Sequence, residues 1–314
     1  MTAPVVGIDL GGTNMFGALV DPGRTGDGAV LADAKRVTPD GGVDAVVDAI
    51  ADLVRDLAPD PAVVGIGAPG AVEPGTGRVL VAPNLPGFEE PVPLADLLRA
   101  RLGCEVVVGN DVNVAALGEV RAGAAAGHTD VLAVWLGTGL GAALVLDGRL
   151  RSGPHGLAGE LGHAIAVPGG RRCGCGGEGH VEAYVGRRSM ELEARRRHAA
   201  GERTALVELA GEQPMKSKVF RKAYDAGDAV ARELVDEGIE VLALAVVNVA
   251  VTVDVDAVVV GGGLGERFSP MVGERIADAL ARLGHAGVEP AVLDASLGDH
   301  AGALGAAWLA EDAR

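Results

Sequence analysis

Aromatic residues are scarce in this sequence, at 3% of 314 positions, which removes the stacking platforms on which single-stranded nucleic acids lie. Basic residues are outnumbered by acidic ones, leaving a formal net charge of −16, so phosphate backbones would be repelled from most of the surface. Long apolar runs are missing as well. The most hydrophobic stretch, Val241 to Val253, is interrupted by Asn248 and is too short to span a bilayer. The opening residues MTAPVVGIDL lack the basic segment and apolar core of a secretion signal. A cytoplasmic location, with neither membrane nor nucleic acid as partner, is the expectation. Cysteine is limited to three, with Cys173 and Cys175 one residue apart. A disulfide across that spacing would be strained, which leaves metal binding or free thiols.

Glycine, alanine and valine are abundant instead, in a chain that is 48% hydrophobic. That composition suits a buried, largely parallel sheet covered by helices. The length exceeds what one core usually supports, so two domains are expected. Two half-patterns are legible. The first runs from a strand (Val5–Leu10) through a glycine turn (Gly11–Thr13) to a strand (Phe16–Val20). A strand (Val30–Val37), a helix (Val43–Leu57), a strand (Ala62–Gly67), a helix (Leu94–Leu102), a strand (Glu105–Val108) and a helix from Asp111 to about Gly123 follow. The second opens alike, with a strand (Val131–Leu136), a turn (Gly137–Gly139) and a strand (Gly141–Leu146). After a long insertion come helices at Asp228–Val251 and Glu266–Leu283, strands at Ala257–Val260 and Val288–Leu293, and a last helix at Ala301–Leu309. Strand, glycine turn, strand, then alternating helix and strand, twice over, is an internal duplication of an α/β unit. The boundary is expected near Ala124–His128 with a cleft rather than a tether, and Gly186–Arg232 as a charged helical surface piece.

Three glycine turns carry the first chemical signal. Asp9, Gly11, Gly12, Thr13 and Asn14 sit between two strands, where glycine lets phosphate oxygens approach backbone N–H groups. Asp9 is placed to orient water on a metal ion. Gly137, Thr138 and Gly139 repeat the arrangement, and Gly261, Gly262 and Gly263 follow a strand and open a helix. That last run departs from the dinucleotide fingerprint and is read as backbone lying against a nucleoside. Each turn alone reads first as structural, a tight hairpin being the plain account; all three together favour a nucleotide.

Asn110 and Asp111 stand at the carboxyl end of a buried strand where a helix begins. Both residue types cap helices, and an Asp in this place also suits accepting a proton from an attacking hydroxyl. Spacing leaves the two readings open. His163, Cys173, Cys175 and His180 lie within a glycine-rich stretch, and four N/S ligands with no open position suit a structural, tetrahedral Zn²⁺. Free thiols and exposed histidines are the alternative. His128, His155, His198, His285 and His300 carry no such pattern, and Cys104 reads as a core thiol.

These segments resemble the ROK family of sugar kinases and repressors, most closely its bacterial glucokinases, over essentially the whole chain. The resemblance rests on Asp9–Asn14, Asn110–Glu119, Gly137–Gly141 and, most specifically, Glu160–His163 followed by Cys173–Glu182. It implies an α/β, two-lobed actin-like ATPase (ribonuclease H-like) fold with duplicated domains. The first lobe would span residues 1–123, with a helix at 299–312 packing back on it. The second would span 124–298, with a zinc loop at 163–182 and a helical insertion at 186–232.

The resemblance further implies ATP and Mg²⁺ as cofactors beside zinc, Asp111 as general base, and sugar contacts from Asn110, Glu160, His163, Glu182, Gly70 and Asn84. The expected activity is ATP-dependent phosphorylation of a hexose, glucose first, at its 6-hydroxyl by a homodimer or homotetramer. Aminosugar, mannose or N-acetylmannosamine kinases, a polyphosphate-using glucokinase and a non-catalytic sugar sensor are the rivals. Two positions depart from the family pattern: Asn14 stands where a lysine is common, and His180 where the fourth ligand is usually cysteine. ROK repressors carry an N-terminal helix-turn-helix, whereas this sequence opens on the phosphate strand, so the kinase branch is expected. Zinc loss is expected to disorder the sugar contacts while leaving the glycine turns intact.

Overall fold

Valine-rich segments of alternating or continuous burial build the first sheet, in a computed structural model that describes residues 3–24, 26–282, 287 and 289–314. Its elements are β1 (Val5–Leu10), β2 (Asn14–Val20), β3 (Val30–Val37), α1 (Val43–Leu57), β4 (Val63–Ala68), β5 (Ala71–Glu73), β6 (Arg78–Val81), α2 (Leu94–Leu102), β7 (Glu105–Asn110) and α3 (Asp111–Ala122). The strand order is β3-β2-β1-β4-β7. β1, β4 and β7 are parallel, with Asp9 level with Gly67 and Gly67 level with Gly109. Asp9 and Asp111 therefore leave the sheet at the same carboxyl edge, where ligands bind in open α/β sheets. The β5–β6 hairpin is a short pair that the sequence pattern does not announce.

The second half continues with β8 (Val131–Leu136), β9 (Leu140–Leu146), β10 (Arg149–Leu150), α4 (Glu182–Val185), α5 (Arg187–Ala199), α6 (Ala205–Ala210), α7 (Ser217–Asp225), α8 (Ala229–Val253), β11 (Ala257–Gly261), α9 (Gly262–Arg282), β12 (Ala291–Asp294) and α10 (His300–Glu311). The order β10-β9-β8-β11-β12 repeats that of the first sheet strand for strand. The duplication read from the sequence is a property of the fold.

By contacts the chain divides into two units. One comprises the residues up to Thr129 with Ala143–Ala158 and Ser296–Arg314; the other comprises Asp130–Ala142 and Gly159–Ala295. In the first unit α10 lies directly on β1 and β4. A Cβ at Gly7 would stand 1.9 Å from the Ala303 carbonyl oxygen, and one at Gly65 would stand 1.8 Å from that of Ala306. Only glycine on the strands admits a helix backbone this close.

Some expected bounds move. α9 starts at Gly262 rather than Glu266, so in the third glycine run Gly261 ends β11 while Gly262 and Gly263 open the helix. The charged stretch after Gly186 is three helices, α5, α6 and α7, whose Arg195, Arg196 and Arg197 are neutralised by Glu191, Glu193 and Glu233. The expected helix end at Leu283, the strand start at Val288 and His285 lie outside the described residues. Among the described residues no helix is long and apolar enough to cross a membrane.

Candidate active site and metal centre

At the β7–α3 junction the cap and the carboxylate are different residues. Asn110 Oδ1 accepts from Asn113 N at 3.1 Å and caps α3. Its Nδ2 donates to Gly70 O at 2.9 Å and to Asp111 Oδ1 at 2.9 Å. Asp111 Oδ1 also accepts from Val112 N at 2.8 Å. Burial raises the Asp111 carboxyl above the ordinary range, opposed by these hydrogen bonds. A carboxylate so poised takes up a proton more readily than one in water.

The first glycine turn lies in the same unit. Gly11 N donates to Asn14 O at 3.0 Å, closing the turn. Thr38, almost fully buried, braces it through N to Thr13 O at 3.0 Å and through Oγ1 to Gly11 O at 2.6 Å. Asn84 stands against it, since a Cβ on Gly12 would be 2.6 Å from the Asn84 carbonyl oxygen. Asp9, at the end of β1, is covered by the first turn of α10: a Cβ on Gly302 would be 2.5 Å from its Cγ. Burial, reinforced by the carboxylates of Asp111 and Asp299, pushes Asp9 up to about 7. A carboxyl whose proton affinity is raised by burial and by two further carboxylates is also a setting that welcomes a divalent cation.

In the second unit the ligating atoms of His163, Cys173, Cys175 and His180 all lie within 4.8 Å of one another. The loop folds on itself locally. Cys173 N donates to Gly177 O at 2.8 Å, Gly176 N donates to Cys173 O at 2.9 Å, and Arg172 and Glu178 form an antiparallel bridge. Gly177 is required because a Cβ there would be 2.4 Å from the His180 ring. Cys175 Sγ and His180 Nδ1 are 3.3 Å apart. Burial pushes the Cys173 thiol up to about 11. Two sulfurs and two imidazoles around one point fit a tetrahedral zinc ion, which would hold the thiols as thiolates. Glu160 lies beside the cluster, its Oε2 3.8 Å from His163 Nε2.

Glu182 joins this loop to the second glycine turn. Cys173 Sγ lies 3.6 Å from its Oε1, and Leu140 N donates to its Oε2 at 3.0 Å. A Cβ on Gly139 would be 2.1 Å from that same Oε2. The expectation that the turn is independent of the loop is therefore revised. The third glycine run also lies on the strand that feeds this turn: a Cβ on Gly262 would be 2.6 Å from the Leu136 carbonyl oxygen, and one on Gly261 would be 2.7 Å from the Trp135 ring. Gly261 and Gly262 thus lie against the end of β8, which leads into Gly137, Thr138 and Gly139, and Gly263 follows with Ser217 Oγ 3.6 Å from where its Cβ would be.

Two residues with a bearing on these sites, Thr38 and Arg187, lie outside every motif, and a third, Glu119, ends one without a role assigned to it. Thr38 is far in sequence from the turn it braces. Arg187, inside a stretch read as a charged surface piece, donates to Thr138 Oγ1 at 2.7 Å. Glu119 is fully buried, its Oε1 accepting from Ser296 N and Leu297 N at 2.9 Å each and its Oε2 from Ala124 N at 2.8 Å. A glutamate nine positions into a buried helix is the one available hint, because such a carboxylate needs partners.

Residues 5–313 match the model of the ROK family. The glucokinase of Streptomyces coelicolor is 34% identical, over 98% of this chain and 97% of its own. Among solved structures, a ROK hexokinase from Thermus thermophilus is 31% identical with a TM-score of 0.86, covering 99% of this chain and 98% of that one. A ROK family glucokinase from Streptomyces griseus, in complex with glucose and AMPPNP, is 35% identical with a TM-score of 0.74, covering 99% of this chain and 100% of its own. The fold is thus that of the actin-like ATPases, in the duplicated α/β form expected from the sequence.

Proposed function

Because the chain belongs to the ROK family, we propose that it is a sugar kinase that transfers the terminal phosphoryl group of ATP to the 6-hydroxyl of a hexose, with glucose as substrate. The division of labour between Asn110 and Asp111 supports this reading most. Asn110 is the N-cap of α3, so Asp111, whose Oδ1 takes the adjacent Val112 amide, is not needed as the cap and keeps a partly buried carboxyl with a raised proton affinity. Asp111 accepts the proton of the attacking hydroxyl as the oxygen–phosphorus bond forms, and ADP leaves with the electron pair of the broken bond.

Asn110, Glu160, His163, Glu182, Gly70 and Asn84 hold and orient the sugar in this reading. The amides and hydroxyls of Gly11–Asn14 and Gly137–Gly139 take the phosphates, and Gly261–Gly263 support the nucleoside. Asp9 is the residue that would hold Mg²⁺, which when bound neutralises phosphate charge. The four His and Cys ligands would hold zinc, which supplies fixed geometry to the loop carrying Glu160, His163 and Glu182. His163, with one ring nitrogen to the metal, turns the other toward the sugar.

A coupled ADP-release assay with ATP over glucose, mannose, N-acetylglucosamine and N-acetylmannosamine tests the reading. Highest kcat/KM on glucose is expected. Preference for an N-acetylated sugar would move the substrate, and silence on all four would remove the kinase reading.

A further inference from the structure

Neither of the two phosphate turns contains a basic residue: Asp9–Asn14 reads DLGGTN and Leu136–Gly141 reads LGTGLG. A polyphosphate donor carries several negative charges, and this chain adds a net −16 of its own. Amides alone hold such a ligand poorly without a cationic side chain nearby.

The second turn has one at hand. Arg187, at the start of α5, donates through Nη2 to Thr138 Oγ1 at 2.7 Å and through Nη1 to the Met215 carbonyl at 2.7 Å. The backbones run together as well, with Arg187 N on Gly137 O at 3.3 Å and Arg188 N on Thr138 O at 3.0 Å. The arginine is thus fixed to the turn at both backbone and side chain.

Its charge is uncommitted. Arg195, Arg196 and Arg197 on the same helix each face a glutamate. Among the described residues no carboxylate pairs with Arg187, whose two acceptors are a neutral hydroxyl and a neutral carbonyl. The guanidinium has further N–H groups to give. Thr138 is exposed, and the space over Gly137 is open. The amides of Thr138 and Gly139 take no partner among the described residues.

We propose that Arg187 is a donor-phosphate contact, binding the phosphate chain of ATP together with the amides of Thr138 and Gly139. This rests on the reading of the protein as an ATP-dependent kinase. The arginine recognises charge and not the nucleoside, so its contribution scales with the number of phosphates on the ligand.

Isothermal titration of ATP, ADP and adenosine against the full chain and its Arg187→Ala, Arg187→Lys and Arg188→Ala variants tests it. Loss of a charge-assisted, forked contact is expected to weaken ATP about 10- to 100-fold in Arg187→Ala, ADP by less, and adenosine not at all. Arg187→Lys keeps the charge without the fork and should fall between. Arg188→Ala, next in sequence, keeps its backbone bond to Thr138 O and removes a side chain that makes no bond to the turn, so it should stay near the wild type. Equal weakening of ATP and adenosine in Arg187→Ala would mean that the arginine only props the turn, and would overturn the proposal. So would an equal loss in Arg188→Ala, which would assign the effect to overall charge. Unchanged ATP affinity in Arg187→Ala beside a wild type that binds ATP sinks this inference alone. A wild type that binds no ATP sinks the kinase reading with it.

Discussion

Glu182 accepts a hydrogen bond from the Leu140 amide at 3.0 Å through one carboxylate oxygen while the other lies 3.6 Å from Cys173 Sγ. One side chain thereby links the His/Cys loop to the backbone that closes the second glycine turn. Glu182→Gln keeps an acceptor for Leu140 and should lower hexose affinity with little change for nucleotide. Glu182→Ala leaves the amide unpaired and should weaken both. Calorimetry of each ligand against both variants checks this, and identical behaviour of Gln and Ala would remove the link.

One zinc per chain is expected by metal analysis of protein purified without added zinc. Stripping it should lower hexose affinity at least tenfold, a loss of the size seen when a site's supporting shell is removed. Nucleotide affinity should fall less, through the Glu182 link. Cys175→Ser should reduce both zinc content and melting temperature. His180→Cys should retain the metal, because thiolate and imidazole both serve zinc. Less than half an equivalent, with activity surviving chelation, would exclude the metal from the structure.

The Asp9 carboxyl, pushed up to about 7, makes a stability prediction with a definite sign. The unfolded chain ionises Asp9 near the ordinary carboxylate value, whereas the folded chain resists until about 7. Stability of the nucleotide-free protein should therefore fall as pH rises through that window, by up to about 4 kcal/mol once both forms are ionised. Asp9→Asn cannot ionise. It should melt higher than the wild type at pH 8, with the difference shrinking toward pH 4, and it should lose activity. A difference that does not vary with pH would contradict the assignment.

Glu119 is a fully buried carboxylate holding three backbone amides. Glu119→Ala strands those donors and should cost about 3 kcal/mol or more in urea unfolding. Glu119→Gln, which retains an acceptor, should cost less. A loss below 1 kcal/mol for the alanine variant would show that water replaces the carboxylate.

The parts of this molecule that follow from local rules were legible in the sequence. The β7–α3 junction, the glycine turns and the His/Cys loop are each set by residues within a few positions of one another, as are the helix at Leu94–Leu102 and the strand at Val131–Leu136. The duplication of the α/β unit also followed, because each strand and turn carries its own signature. What was not legible depends on distant partners. Thr38 reaches Gly11 across β2 and β3, α10 covers Asp9 from the far end of the chain, and Arg187 looks like any surface arginine until the fold brings it to Thr138. The 186–232 stretch read as helical without its internal bounds, because its glutamates and arginines pair along helix faces and across helices.

Asp111 carries the central claim, and direct detection of product tests it. Wild-type protein with ATP, Mg²⁺ and glucose should release one ADP for each glucose 6-phosphate formed. Asp111→Asn should fold with the same melting temperature, since Asn110 is the cap, yet lose roughly 10²–10⁴ in kcat. An Asp111→Asn variant that forms glucose 6-phosphate at the wild-type rate would contradict the assignment of the general base. A folded, zinc-loaded wild type that forms no sugar phosphate from any hexose would contradict the kinase reading itself.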